Sequence, residues 1–253
     1  MPRTGLAQWP GLLEPAIGYA LAAVQAVTPD LLPHPTPCRG WNVGMLLRHA
    51  TESLTALQEG IDAGRIGLSP APDDPAGEPA QLFRDRASRF LSIWAGVVRT
   101  GAARTDAARS DAARSDAAGT GTGCAESAQA ETAGTECAQA GAGDWAEIIA
   151  IADRRLTLGV MTGVGALEMA VHGWDLSRAC GRCQPIPGAL AAGLLDISPV
   201  LVPRAGRAPL FGPPVTVPPM ATPSDQLVAY LGRDPGWPPS RGTDDWGRIR
   251  PSE

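Results

Sequence analysis

"GVGALEMAVHGWDLSRAC", residues 163–180, decides the fold of this 253-residue chain. Read by periodicity it is a strong, largely apolar helix, yet it carries Glu168, His172 four residues on and Asp175 three further. Side chains three and four residues apart share a helix face. A carboxylate, an imidazole and a second carboxylate are therefore aligned on one side of an apolar helix. Such a cluster is solvated, salt-bridged or holding a metal, and the rest of the chain decides which.

Working outward, residues 6–27 read as a helix with Leu12, Leu13, Ile17, Leu21 and Val24 at helical spacing. "TPDLLPHPTPCRGW" (28–41) carries four prolines and is a loop. Asn42 then caps a second helix, its side chain able to accept from the first-turn amides. The apolar stripe of that helix is Val43, Leu46, Leu47, Leu54, Leu57 and Ile61. After a Pro/Gly-rich loop at 69–78, a third helix over roughly 79–100 buries Leu82, Phe83, Phe90, Leu91, Trp94 and Val98. "AARTDAARSDAARSDAAGTG" then repeats every five residues, a period that matches neither helix nor strand. With little to bury, 101–144 is expected to be a disordered low-complexity insertion, with Ala-rich local helix as the alternative.

Order resumes at Trp145, and "WAEIIAIADRRLTLGVMTG" (145–163) is ambiguous between helix and strand. A helix over 187–200 follows the 163–180 segment, and 204–219 is loop with at most short strands. Thr222-Pro223, with Asp225 in the first turn, opens a last helix that ends near Gly232. The final twenty residues read as a tail. The expected class is mainly all-α. Residues 1–100 supply three long helices, 145–201 the fourth and its successor, and 202–253 a small C-terminal α or α+β appendage.

The net charge of −5 argues against a nucleic-acid partner, which is usually met by a basic stripe. Lysine is absent, so all 21 basic residues are arginine. That excludes Schiff-base and phosphate-loop lysine chemistry and, with abundant Ala, Gly and Pro, points to GC-rich coding. "MPRTGLAQWP" lacks the apolar core of a secretory signal, and no run approaches the ~18 apolar residues of a membrane span. A cytoplasmic protein with a small-molecule partner, neither nucleic-acid- nor membrane-bound, monomer or homodimer, is expected. The five cysteines are odd in number and scattered, which excludes a disulfide framework. Cys180-x-x-Cys183 lacks the βαβ context of a redox motif and reads as incidental.

Three histidines are available. His34 lies between prolines in a loop, and His49 sits at the edge of the second helix's apolar stripe. Glu168 and His172 alone could be an ordinary hydrogen-bonded pair one turn apart. Together with His49 they are a two-histidine, one-carboxylate set of the kind that facing helices offer to zinc, iron or nickel, with open positions left for water or substrate. Asp175 is then the outer partner, orienting His172 or pairing with Arg178 or Arg48.

"TPDLLPHPTPCRGWNVGMLLRHA" (28–50), with His49 eight residues after Trp41, resembles the opening of the DinB-like metal-binding proteins of actinobacteria. It is most similar to the branch of mycothiol-dependent maleylpyruvate isomerase. "GALEMAVHGWDLSRACG" (165–181) is similar to that family's second motif, and "FGPPVTVPPMATPSDQLVAYLGRDPGW" (211–237) to its C-terminal segment. The resemblance implies a DinB-like four-helix bundle holding a divalent metal, zinc before nickel or iron, at His49, Glu168 and His172. It also implies mycothiol as a thiol cofactor, and isomerisation or S-transfer on a small electrophile in a biosynthetic or detoxification pathway. Two alternatives stand beside it: a thiol-free Lewis-acid isomerase or cyclase, and a metal-containing binding or regulatory protein without turnover.

Overall fold

The computed structural model describes residues 6–67, 78–118, 148–151, 154–208 and 210–238. It is mainly helical: α1 (Leu13–Val24), α2 (Val43–Ala63), α3 (Pro79–Ala118), α4 (Leu158–Ala179), α5 (Gly188–Leu201) and α6 (Pro223–Tyr230). Three short strands, β1 (Arg65–Ile66), β2 (Ile148–Ile151) and β3 (Arg154–Thr157), form one sheet in that order. Helices α1 to α4 make the bundle, with α1 packed most extensively on α4 and α2 against both α3 and α4. Helices α5 and α6 pack together as the C-terminal appendage. Among the described residues no helix is long and apolar enough to cross a membrane.

Helix α4 is the axis of this arrangement. Of its residues only Val164 is exposed, and most of the rest are fully enclosed. A helix apolar on every side must be surrounded, whereas an amphipathic one lies on a surface. Glycines let the neighbours come close. A Cβ on Gly165 would stand 2.6 Å from Leu57 of α2, and one on Gly173 would stand 3.0 Å from the Ala20 backbone and the Tyr19 ring of α1. The second contact is with backbone and cannot yield easily. Gly173→Val should therefore destabilise the fold by ~1–3 kcal/mol, as overpacking does, read as a lower urea midpoint.

The ambiguous 145–163 segment becomes a hairpin followed by a helix. Strands β2 and β3 pair antiparallel, Ile148 opposite Thr157, while β1 adds in parallel with Ile66 opposite Ile151. Thr157 then caps α4, its hydroxyl accepting from the Val160 amide at 3.2 Å. The helix thus begins ahead of residue 163; Gly159, Gly163 and Gly165 weaken its sequence signal, but enclosure outweighs propensity. At the other end of the chain, the helix expected over 6–27 is a 3-10 segment, Leu6–Leu12, continuing into α1.

The third helix, expected to end near residue 100, runs further: the backbone of α3 stays helical through Ala118, and 119–144 lie outside the described residues. Ala and Arg are strong helix formers, and extending an existing helix avoids the nucleation step. Burial nevertheless fades from Ala95 onward, and Val98, expected in the core, is 40% exposed. The expected tail is described only as far as Pro238; its first residues fold back on α4, where Arg178 donates to the Pro235 carbonyl.

Candidate metal centre

Asn42 caps α2 as expected, accepting from the Met45 amide at 2.8 Å, and so starts the helix that carries His49. The proline-rich loop before it is closed by local bonds. The Thr36 amide donates to the Trp41 carbonyl at 3.1 Å, and the Val43 amide to the His34 carbonyl at 3.0 Å. The tight turn Cys38–Trp41 is held by a 3.0 Å bond and needs Gly40 at φ +82°, a left-handed conformation that glycine adopts freely. This turn sets Cys38 and Trp41 beside α4. His34 is exposed and is not in the ligand-type group found among the described residues.

His49 and Glu168 face each other across α2 and α4, with Nε2 and Oε1 3.9 Å apart and each side chain about a third exposed (32% and 33%). That separation is too long for a hydrogen bond. It lies near the ~3.4 Å edge of a tetrahedron with ~2.0–2.1 Å bonds to nitrogen and oxygen. The His172 ring is nearly perpendicular to that of His49, at 88° with centroids 5.1 Å apart. Trp41 touches both imidazoles, edge-on to His49 at 4.8 Å and stacked over His172 at 6.2 Å. The three residues singled out from spacing are thus neighbours, with an indole walling one side.

Asp175 does orient His172: its Oδ2 lies 3.1 Å from Nδ1, leaving Nε2 as the nitrogen free of that contact. Metal-bound histidines are characteristically held in this way. The expected arginine partners are corrected. Neither Arg178 nor Arg48 pairs with Asp175; Arg233 does, Nη2 to Oδ2 at 3.2 Å. Arg178 instead lies over the Trp174 ring, and Arg48 is exposed. Sequence spacing favours local partners, whereas this pair closes only when the appendage folds back onto α4.

The electrostatics follow from enclosure. Burial pushes the Asp175 carboxyl up, but Arg233 and the hydrogen bond to His172 together hold it below the usual carboxylate range. Burial lowers the His49 imidazole and His172 adds to this, against the opposing pull of Glu168 and Glu52. His49 is therefore kept neutral, as a donor to a cation must be. Burial raises the Cys38 thiol, Asp175 raises it further, and Arg233 works against both.

Cys38 is the residue that sequence reasoning passed over. Its Sγ, a His172 nitrogen and an Asp175 oxygen all lie within 4.8 Å of one another, the group of three ligand-type side chains that closes to this degree among the described residues. The signal was its place three residues before Trp41 in the loop ahead of α2. Cys180 and Cys183 are free, half-buried and exposed respectively, at the far end of α4. The family model of the mycothiol maleylpyruvate isomerase N-terminal domain matches residues 13–177, which include His49, Glu168, His172 and Asp175. No curated protein and no solved structure matches the chain.

Proposed function

We propose that this chain, which belongs to the mycothiol maleylpyruvate isomerase N-terminal domain family and is DinB-like, is a metal-dependent enzyme that uses mycothiol on a small electrophile. One observation carries the reading. His49 and Glu168, from different helices, meet at 3.9 Å beside a His172 whose Nδ1 is engaged by Asp175. Two imidazoles and one carboxylate suit zinc first, with nickel or iron as the other candidates.

His49, Glu168 and His172 would hold the ion, and their partial exposure on the Glu168 side leaves room for a further ligand. A divalent metal there supplies the charge that keeps a small thiol ionised at neutral pH. The chain's own residues prepare the site. Burial keeps His49 unprotonated, Asp175 fixes the His172 ring, and Glu168 contributes a single negative charge to the ligand set. Trp41 covers the two imidazoles and offers a flat apolar wall to a conjugated substrate. The attacking sulfur is assigned to the cofactor, the small thiol named in the description of the family. A thiolate adds to an electron-poor double bond, the former double bond rotates, and loss of the same thiolate gives the geometric isomer. With a saturated electrophile that carries a leaving group, the carbon–sulfur bond forms as the bond to that group breaks. The group departs with the electron pair and the sulfur stays attached, which is S-transfer.

The experiment is mass spectrometry of mixtures of zinc-loaded protein, mycothiol and a panel of cis-enoyl acids and alkylating electrophiles. Isomerised acid or a mycothiol adduct, formed only with both metal and thiol, is the expected result. Turnover with metal but no thiol would replace this reading with direct polarisation of a substrate oxygen. No turnover across the panel, with metal bound, would favour a binding role.

A further inference from the structure

We propose that Arg233, which lies in the C-terminal appendage beyond the family-matched segment, is a positioning residue for the metal centre. It holds the carboxylate that holds His172.

Asp175 is fully enclosed on α4, and its Oδ2 accepts from two directions, His172 Nδ1 at 3.1 Å and Arg233 Nη2 at 3.2 Å. Its Oδ1 has no hydrogen-bond partner. A buried carboxylate with so few contacts depends heavily on each of them. Arg233 is itself only 7% exposed and donates otherwise to the Leu231 carbonyl, so the pair is sealed inside. Without the guanidinium, the carboxylate keeps one anchor and no counter-ion. A turned carboxylate or an admitted water then becomes cheaper than the observed geometry, and either one frees Nδ1.

The position of Arg233 is built into the appendage. Helix α6 ends in a Schellman turn: the Gly232 amide donates to the Ala229 carbonyl at 3.0 Å and the Arg233 amide to the Val228 carbonyl at 2.9 Å. Gly232 takes φ +83°, and a Cβ there would stand 2.8 Å from the Gly212 backbone. Glycine is thus required both for the turn and for the close approach that directs Arg233 to α4. A second arginine, Arg178 of α4, clasps the same segment through the Pro235 carbonyl. The appendage is accordingly part of the centre, supplying from outside the ligand helices the charge that steadies one ligand.

This inference rests on the proposed metal site, so its test has one readout with metal and one without. The full chain and its Arg233→Met, Arg233→Lys, Asp175→Asn and Asp175→Asn/Arg233→Met variants are titrated with zinc against a chelator. Their cobalt-substituted visible spectra are recorded as well. In metal-free protein at pH 8, nitrogen NMR reads the His172 tautomer. Arg233→Met should weaken zinc binding by ~10–100-fold, the range for outer partners of metal ligands. It should also shift the cobalt bands and mix the tautomers, with the helical circular dichroism retained. In the Asp175→Asn background the same change should add nothing further, because the effect passes through Asp175. Arg233→Lys keeps the charge but loses the fork geometry and should fall between. Wild-type affinity, bands and tautomer in Arg233→Met would overturn the proposal. If Arg233→Met loses its helical signal, Arg233→Lys decides, and wild-type bands and tautomer there overturn it. If the wild-type chain binds no zinc, the metal reading fails by itself, and the metal-free tautomers alone decide between support and refutation.

Discussion

Replacing His49 or His172 by alanine should strip the protein of bound metal. Elemental analysis of protein loaded with zinc and desalted should give close to one equivalent for the wild type and well below it for either variant. Each substitution deletes one of the three proposed protein ligands, so the loss should exceed the ~10–100-fold expected for an outer partner such as Asp175→Asn. The two variants differ in their cost to the fold. His49 is a third exposed and its loss leaves no buried charge unpaired. His172 is buried, and its removal takes from Asp175 one of its two hydrogen-bond partners. His49→Ala should therefore separate metal loss from destabilisation, while His172→Ala should show both. Full occupancy in His49→Ala would sink the ligand assignment.

Turnover should vanish when either the metal or the thiol is withheld, and it should rise with pH through an apparent pKa below the ~8.5 of a free thiol. The sign follows from the ionised form being the reactive one. Charge at the centre favours thiolate, so the rise belongs at lower pH than for the thiol in water. The neutral state of His49 acts in the same direction, because an imidazole held below its ordinary range loses less of its donor capacity to protons near neutrality. Glu168→Gln removes the ligand set's negative charge and should weaken metal retention, so its rates are to be read per bound metal. Cys38→Ser should leave the rate within a few-fold, because the proposed attacking sulfur is the cofactor's. A rate that follows Cys38 and ignores added thiol would move the nucleophile into the protein.

Much of this architecture was legible where local rules act alone. The Asn42 and Thr222 caps, the apolar stripe of α2 and the one-turn spacing of Glu168 and His172 each depend on a few adjacent residues. The juxtaposition of His49 with Glu168 was inferred from residue type and spacing, and it is what the packing of α2 on α4 delivers. The failures are those of long-range closure. The sheet joins β1 to β2 across α3, so neither strand announces its partner. Arg233 reaches Asp175 only because a glycine turn and the Gly212 backbone aim it, and nothing near Asp175 in sequence encodes that. The five-residue repeat hid the continuation of α3 because periodicity reports burial, whereas this stretch is helical by propensity.

The enclosure of α4 has a consequence for the order of assembly. A zinc finger folds only when its ion arrives, so binding energy is consumed in ordering the chain. Here the helix bearing two of the three proposed ligands is walled in by α1, α2 and apolar side chains, and His172 is engaged by Asp175. The cation would enter a finished cradle, and its binding energy would appear almost wholly as affinity. Linkage would then let a bound ion add ~4 kcal/mol to the fold at a thousandfold excess over Kd. Chelation is accordingly expected to leave the helical circular dichroism unchanged, and its collapse on metal removal would show that the ion orders the chain.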